Sequence, residues 1–150
     1  MPLGICLEFS IVPSFQSSRI SLTSIKVISF FSDNLFASSG LKVSMFYLAS
    51  SLNGDISNWD VANVTTMIEM FYMASSFNGD LSNWNVSNVE DMYAMFSYAT
   101  DFNEDLSDWD VSNVENMRGI FAETDSFNGD ISNWDVSSVT DMNDMFRESY

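Results

Sequence analysis

Histidine is absent from this chain, and other reactive side chains are scarce: one cysteine, two prolines and five lysines and arginines in 150 residues. Without histidine there is no imidazole general base, no Ser–His nucleophile pair and no donor for most zinc sites. The lone Cys6 cannot close an intrachain disulfide, which leaves the redox compartment open. Long apolar runs are missing too. The runs in residues 1–44 are broken by Ser, Pro, Arg and Lys and are too short for a transmembrane helix. The same stretch lacks the charged start and small-residue cleavage site of a signal peptide. Residues 3–6 are a faint match to a lipoprotein cleavage box, but Ile5 sits where a small residue is needed and no apolar segment precedes it.

Basic residues are not only few but unevenly placed. Residues 51–150 carry 19 Asp and Glu against Arg118 and Arg147 alone, a balance near −17; residues 1–50 carry Glu8 and Asp33 against Arg19, Lys26 and Lys42, near +1. Such a body repels nucleic acid and anionic lipid, and direct membrane insertion is not expected. Cations or basic protein surfaces suit it better, although acidity also serves solubility alone.

What the chain does have is a period. Trp59, Trp84, Trp109 and Trp134 fall 25 residues apart. Valines recur at 61, 86, 111, 136 and at 64, 89, 114, 139. Methionines recur at 67, 92, 117, 142, and phenylalanines at 71, 96, 121, 146. A fixed period of this length marks an array in which each unit buries its apolar face only against its neighbours. The chain divides into a non-repeat head, residues 1–44, and a repeat region, residues 45–150. The latter comprises a half unit (45–58), three units (59–83, 84–108, 109–133) and a truncated fourth (134–150). The head reads as a cap on the first coil, a poorly ordered extension, or a sequence foreign to the natural start.

Within a unit, Val64, Met67, Met70, Phe71 and Ala74 form one apolar stripe at helical spacing. Ser87 with Glu90, and Ser112 with Glu115, fit the Ser-x-x-Glu capping box. The spacing therefore predicts a short helix. On the other side, Trp59 and Val61 alternate with Asn58, Asp60 and Ala62, which predicts a short parallel strand starting at Trp59, or in the competing phase at Ile56. Asn-Gly-Asp after Leu52, Phe77 and Phe127 marks a turn; after Phe102 the glycine is Glu104, which argues against a strict positive-φ requirement there.

The stretch FNGDISNWDVSSVTDMNDMF, residues 127–146, resembles the tryptophan-containing, acidic branch of the BspA-type leucine-rich-repeat surface proteins, whose form is FNGDISNWDVSNVTDMxxMF. The resemblance covers residues 45–150 and none of the head. It implies a leucine-rich-repeat-like fold, often displayed at a cell surface and associated with adhesion or partner binding, within a branch of unknown function. The fold class expected from period and resemblance together is a right-handed α/β solenoid of 25-residue coils, each a short strand plus a short helix.

Two carboxylate columns invite chemistry. Asp55, Asp80, Asp105 and Asp130 form one; Asp60, Asp110 and Asp135, interrupted by Asn85, form the other. Carboxylates about 5 Å apart repel by roughly 3 kcal/mol at an effective dielectric near 20. Calcium at the 55/80/105/130 column would offset that; the leading alternative is that each Asp accepts backbone N–H groups in its own turn. No carboxylate pair stands apart from its repeats as a glycosidase site would require. The methionine stripe and the tryptophan column read as core rather than as a copper site or a sugar platform. Asn63 and Asn85 begin sequons, and Asn63 also sits where a helix cap is expected.

The functional expectation is a non-enzymatic interaction or adhesion module with no required cofactor. Its candidate binding face is Asn58, Asp60, Asn83, Asn85, Asp108, Asp110, Asn133 and Asp135, and its expected partners are a protein or glycan. The alternatives are a spacer segment that associates end to end and a calcium-stabilised binding stack.

Overall fold

The computed structural model describes residues 44–150. The expectations for the head, Cys6 included, fall outside the described residues apart from Ser44. Within them the backbone is a succession of tight turns. Many are closed by an N–H donated to the carbonyl three residues back: Trp59 to Ile56 (3.1 Å), Val64 to Val61 (2.9 Å), Met70 to Met67 (3.2 Å), Ala74 to Phe71 (3.0 Å) and Phe77 to Ala74 (2.9 Å). The next coil repeats these bonds at Trp84, Val89, Met95, Ala99 and Phe102. Each such turn puts apolar side chains inward: Ile56, Val61, Val64, Met67, Met70, Phe71, Ala74 and Phe77 are all buried.

Coils join through a second set of bonds. The N–H groups of Met67, Glu69, Phe71 and Met73 donate to the carbonyls of Asp91, Tyr93, Met95 and Ser97 at 2.8–2.9 Å. Met92, Ala94, Phe96 and Tyr98 do the same to the following coil, as do Met117, Gly119, Phe121 and Glu123 to the last. From Met67 to Ala74 the two sets interleave: alternate N–H groups bond the next coil, while those of Met70, Tyr72 and Ala74 close turns within their own. The alternation needs left-handed backbone at two points per coil. Glu69 and Met73 (φ 54° and 56°), Ala94 and Tyr98 (49° and 60°), and Gly119 and Glu123 (61° and 57°) supply it.

The expected α/β solenoid of strand-plus-helix coils is not what forms. No helix occurs among the described residues, and the only bridges are isolated parallel ones joining Thr66, Asp91, Asn116 and Asp141. The predicted helix from Val64 to Ala74 fails because the N–H groups of Met67, Glu69, Phe71 and Met73 are taken by the neighbouring coil, and Glu69 and Met73 cannot be helical at positive φ. The capping-box reading fails with it: Glu90 N–H goes to Thr65 of the preceding coil, and Ser87 Oγ bonds Asn85. No strand starts at Trp59 or at Ile56; the inter-coil ladder runs instead through the segment read as helix.

Ring columns fill the interior. Phe71, Phe96, Phe121 and Phe146 stack at 5.4, 5.7 and 5.6 Å. Phe77, Phe102 and Phe127 form a second column at 6.0 Å spacing, touching the first within each coil at 4.2, 4.1 and 3.9 Å. Exposure rises in the last coil, where Val136, Met142 and Phe146 are 38%, 42% and 48% exposed although Met145 stays buried. Most methionines of the columns, Met67, Met70, Met92, Met95, Met117 and Met145, are buried core. Close coil contact also explains two glycines. A methyl group on Gly79 would press on the Phe77 ring at 2.9 Å, and one on Gly129 would collide with the Glu104 backbone carbonyl. Neither has positive φ, so contact rather than conformation selects glycine there.

Candidate functional site

The turn chemistry that shapes each coil also orients its exposed polar groups. At the first carboxylate column, Asp55, Asp80, Asp105 and Asp130 each accept the backbone N–H two residues on, from Ser57, Ser82, Ser107 and Ser132, at 2.8–3.0 Å. At the second, Asp60, Asn85, Asp110 and Asp135 accept from Ala62, Ser87, Ser112 and Ser137 at 3.0–3.2 Å. Asp91, Asn116 and Asp141 form a third such column, 2.9–3.0 Å from Tyr93, Arg118 and Asn143 N–H. All are Asx turns, the role short polar side chains play in tight loops.

These bonds stabilise the ionised form. The Ser57 hydroxyl, then its N–H, holds Asp55 below the ordinary carboxylate value; Ser112 and Ser137 do the same for Asp110 and Asp135. For Asp80 and Asp130 the backbone N–H of Ser82 and of Ser132 is the larger cause. Repulsion between neighbours in a column is a minor influence: Asp55 raises Asp80 less than Ser82 lowers it. Among the described residues no three Asp, Glu, Cys or His side chains gather as a metal site. Each carboxylate of the Asp55/Asp80/Asp105/Asp130 column is a turn acceptor within its own coil.

All eight residues of the expected binding face, Asn58, Asp60, Asn83, Asn85, Asp108, Asp110, Asn133 and Asp135, are exposed. They lie on turns and not on a strand. Beside them runs an asparagine ladder: Asn53, Asn78 and Asn103 each accept, through Oδ1, the N–H of Asn78, Asn103 and Asn128 in the next coil at 3.2, 2.7 and 2.7 Å. The tryptophan column lies under the face. Trp84 and Trp109 are buried and Trp59 and Trp134 half-buried. Each of the last three indoles donates to the carbonyl 28 residues back: Trp84 to Ile56, Trp109 to Leu81 and Trp134 to Leu106, at 2.9–3.0 Å. Those carbonyls also accept the N–H of their own coil's tryptophan, so one oxygen ties two coils.

One grouping is not evident from the repeat. Tyr47 and Tyr98 lie against Tyr72 on the ladder side, and the Glu69 N–H donates to the Tyr93 carbonyl at 2.8 Å. Tyr47 and Tyr72 share one column, while Tyr93 and Tyr98 each stand in another; the available signal is departure from the column consensus. Another local departure is Thr66, which replaces the Asx residue of the third column and leaves its buried hydroxyl without a partner.

No helix among the described residues is long and apolar enough to cross a membrane. No curated protein and no solved structure matches the chain. A family model described as "Mycoplasma protein of unknown function, DUF285" matches residues 42–150, the stretch that forms the stacked coils, and the chain belongs to that family.

Proposed function

We propose that the coil stack is a non-enzymatic protein-interaction or adhesion module that binds through its repeated acidic and polar face. One observation carries this reading. Asp60, Asn85, Asp110 and Asp135 are exposed, and the Asx turn in each coil fixes the side chain in the same way. A partner with matching positive groups would meet oriented acceptors and lose less entropy on binding. The motif resemblance to BspA-type surface proteins supports display at a cell surface. The test is capture of a basic or glycan partner by the full chain and by Asp60→Asn/Asp110→Asn/Asp135→Asn. The expected result is loss of binding in the triple variant with the cooperative unfolding transition retained; equal binding by both would move the site elsewhere.

A second reading rests on the last coil. Besides its exposed apolar residues, the N–H groups of Met142, Asp144, Phe146 and Glu148 have no acceptor among the described residues, though their counterparts in each earlier coil bond the next one. That face fits another coil of the same repeat, whether from further chain or from a second copy of a spacer-like chain meeting it end to end. A mass that rises with concentration in light scattering, and falls on Phe146→Ser, is the expected sign; a monomer at all concentrations excludes it.

A further inference from the structure

The side of the ladder that carries the tyrosines differs from the rest of the stack. Tyr47 and Tyr72 lie stacked at 5.0 Å and 9°, and Tyr98 meets Tyr72 edge-on at 5.7 Å. Tyr47 and Tyr93 are 42% and 37% exposed, and Tyr72, Tyr98 and Glu69 are half-buried. Burial, followed by the nearness of Tyr47, Tyr98, Glu69 and Tyr93, raises the Tyr72 phenol above its ordinary 10.0, and the Glu69 N–H donates to the Tyr93 carbonyl at 2.8 Å.

Farther along the same columns, arginines sit against carboxylates. Arg118, in the column of Tyr93, pairs with Asp144, in the column of Glu69, at 3.6 Å. Arg147, in the column of Tyr47 and Tyr72, pairs with Glu123, in the column of Tyr98, at 3.4 Å. The same Glu123 oxygen accepts the Tyr98 hydroxyl at 3.4 Å. This side of the stack therefore already seats guanidinium groups where the chain supplies them. In the tyrosine coils the carboxylate is present as Glu69, tyrosines hold the neighbouring column positions, and among the described residues no ion pair forms there.

We propose that Tyr47, Tyr72, Tyr93 and Tyr98, with Glu69, form a docking patch for an arginine-bearing segment of a partner protein. Arginine is favoured over lysine because a planar, weakly hydrated guanidinium stacks on tyrosine while its fork engages the carboxylate. Tyrosine is enriched among residues that dominate interface energy, and the acidic repeat region attracts a basic segment at long range. The inference rests on the binding-module reading but uses a different surface from the Asx face.

The probes are labelled nona-arginine and nona-lysine peptides, titrated by fluorescence anisotropy against the full chain at an ionic strength of about 0.15 M. The expected results are tighter binding of nona-arginine than of nona-lysine and a loss of about tenfold or more in arginine-peptide affinity on Tyr47→Ser/Tyr72→Ser, which leaves net charge unchanged. Tyr72→Phe, which keeps the ring, retains most of it. Tyr93→Ser, at an exposed position, gives the same loss in part if the double variant does not fold. Equal binding of both peptides, no effect of the tyrosine variants in folded protein, or binding of a neutral oligosaccharide in place of either peptide overturns the proposal. Asp60→Asn/Asp110→Asn/Asp135→Asn separates the two surfaces. It lowers both peptides' affinity alike through net charge and preserves the arginine preference, whereas failure of the Asx face leaves the tyrosine effect intact.

Discussion

Replacing Gly119 by alanine distinguishes the turn-built coil from a helical one by sign. Gly119 lies inside the stretch whose apolar spacing imitates a helix, and its φ is +61°. In a helix interior, glycine is about 0.8–1.0 kcal/mol worse than alanine, so Gly119→Ala would stabilise. At a left-handed position the change goes the other way. Alanine there loses more than the roughly 0.4–1 kcal/mol that the stiffer unfolded chain would return, a net cost of about 1 kcal/mol. Sterics add little, because the new methyl would meet only Ala122 Cβ at 3.8 Å, an ordinary contact. The two accounts thus differ by about 2 kcal/mol, several degrees in unfolding temperature for a domain of this size. Urea unfolding of the full-length wild type and variant, followed by tryptophan fluorescence, measures it. A midpoint that rises in Gly119→Ala with unchanged slope would refute the ladder backbone described above.

Other consequences are as direct. Phe96 is fully buried and stacked on Phe71, Phe102 and Phe121, while Phe146 is 48% exposed; Phe96→Ala should cost about 3–5 kcal/mol and Phe146→Ala about 1 kcal/mol, by the same urea assay. Thr66→Asn restores the Asx acceptor of its column and removes an unpartnered buried hydroxyl, so a gain of about 1 kcal/mol is expected. The aspartates with lowered pKa, Asp55, Asp80, Asp110, Asp130 and Asp135, contribute stability that is present above their ordinary 3.8 and lost as pH falls through the lowered folded values. Acidification from neutrality first relieves the repulsion of a −16 chain, so the unfolding temperature should rise and then fall below about 3.8. In millimolar calcium, separate turn acceptors predict no shift in unfolding temperature beyond that of magnesium; a rise of many degrees specific to calcium would make Asp55, Asp80, Asp105 and Asp130 a metal column.

The period was readable because stacking demands it: Phe71, Phe96 and Phe121 meet only if each coil has the same length. The inward phase of Trp84, Trp109, Val86 and Val111 was readable for the same reason, whereas the Asn-Gly-Asp stretches read as turns are not turns themselves, the turn following at Ile56–Trp59 and Leu81–Trp84. Helix and strand were misread because spacing is ambiguous. Met67, Met70, Phe71 and Ala74 fit one face of a helix, yet the same interval of three arises from consecutive turns closed by N–H bonds three residues back. Glycine at Glu69, Met73, Ala94 or Tyr98 would have flagged the left-handed positions, but only Gly119 does so. The Asx turns were legible as an alternative to calcium, since Asp precedes Ser by two residues at Asp55, Asp80, Asp105 and Asp130. The tyrosine patch was not, because only Tyr47 and Tyr72 share a column, and Tyr93 and Tyr98 join them only once the coils are stacked.

Amide hydrogen exchange, resolved by residue, tests the turn-built stack most directly. In the full chain the N–H groups of Ala94, Phe96 and Tyr98, bonded to the following coil, should be strongly protected, as should those of Gly119, Phe121 and Glu123. Those of Met142, Asp144, Phe146 and Glu148, at the same positions in the last coil, should exchange freely while their neighbours Met145 and Arg147, closed within the coil, are slower. Continuous protection from Asp144 through Glu148, equal to that of Ala94 through Tyr98, would mean bonds made within a helix and would contradict the stack of turns.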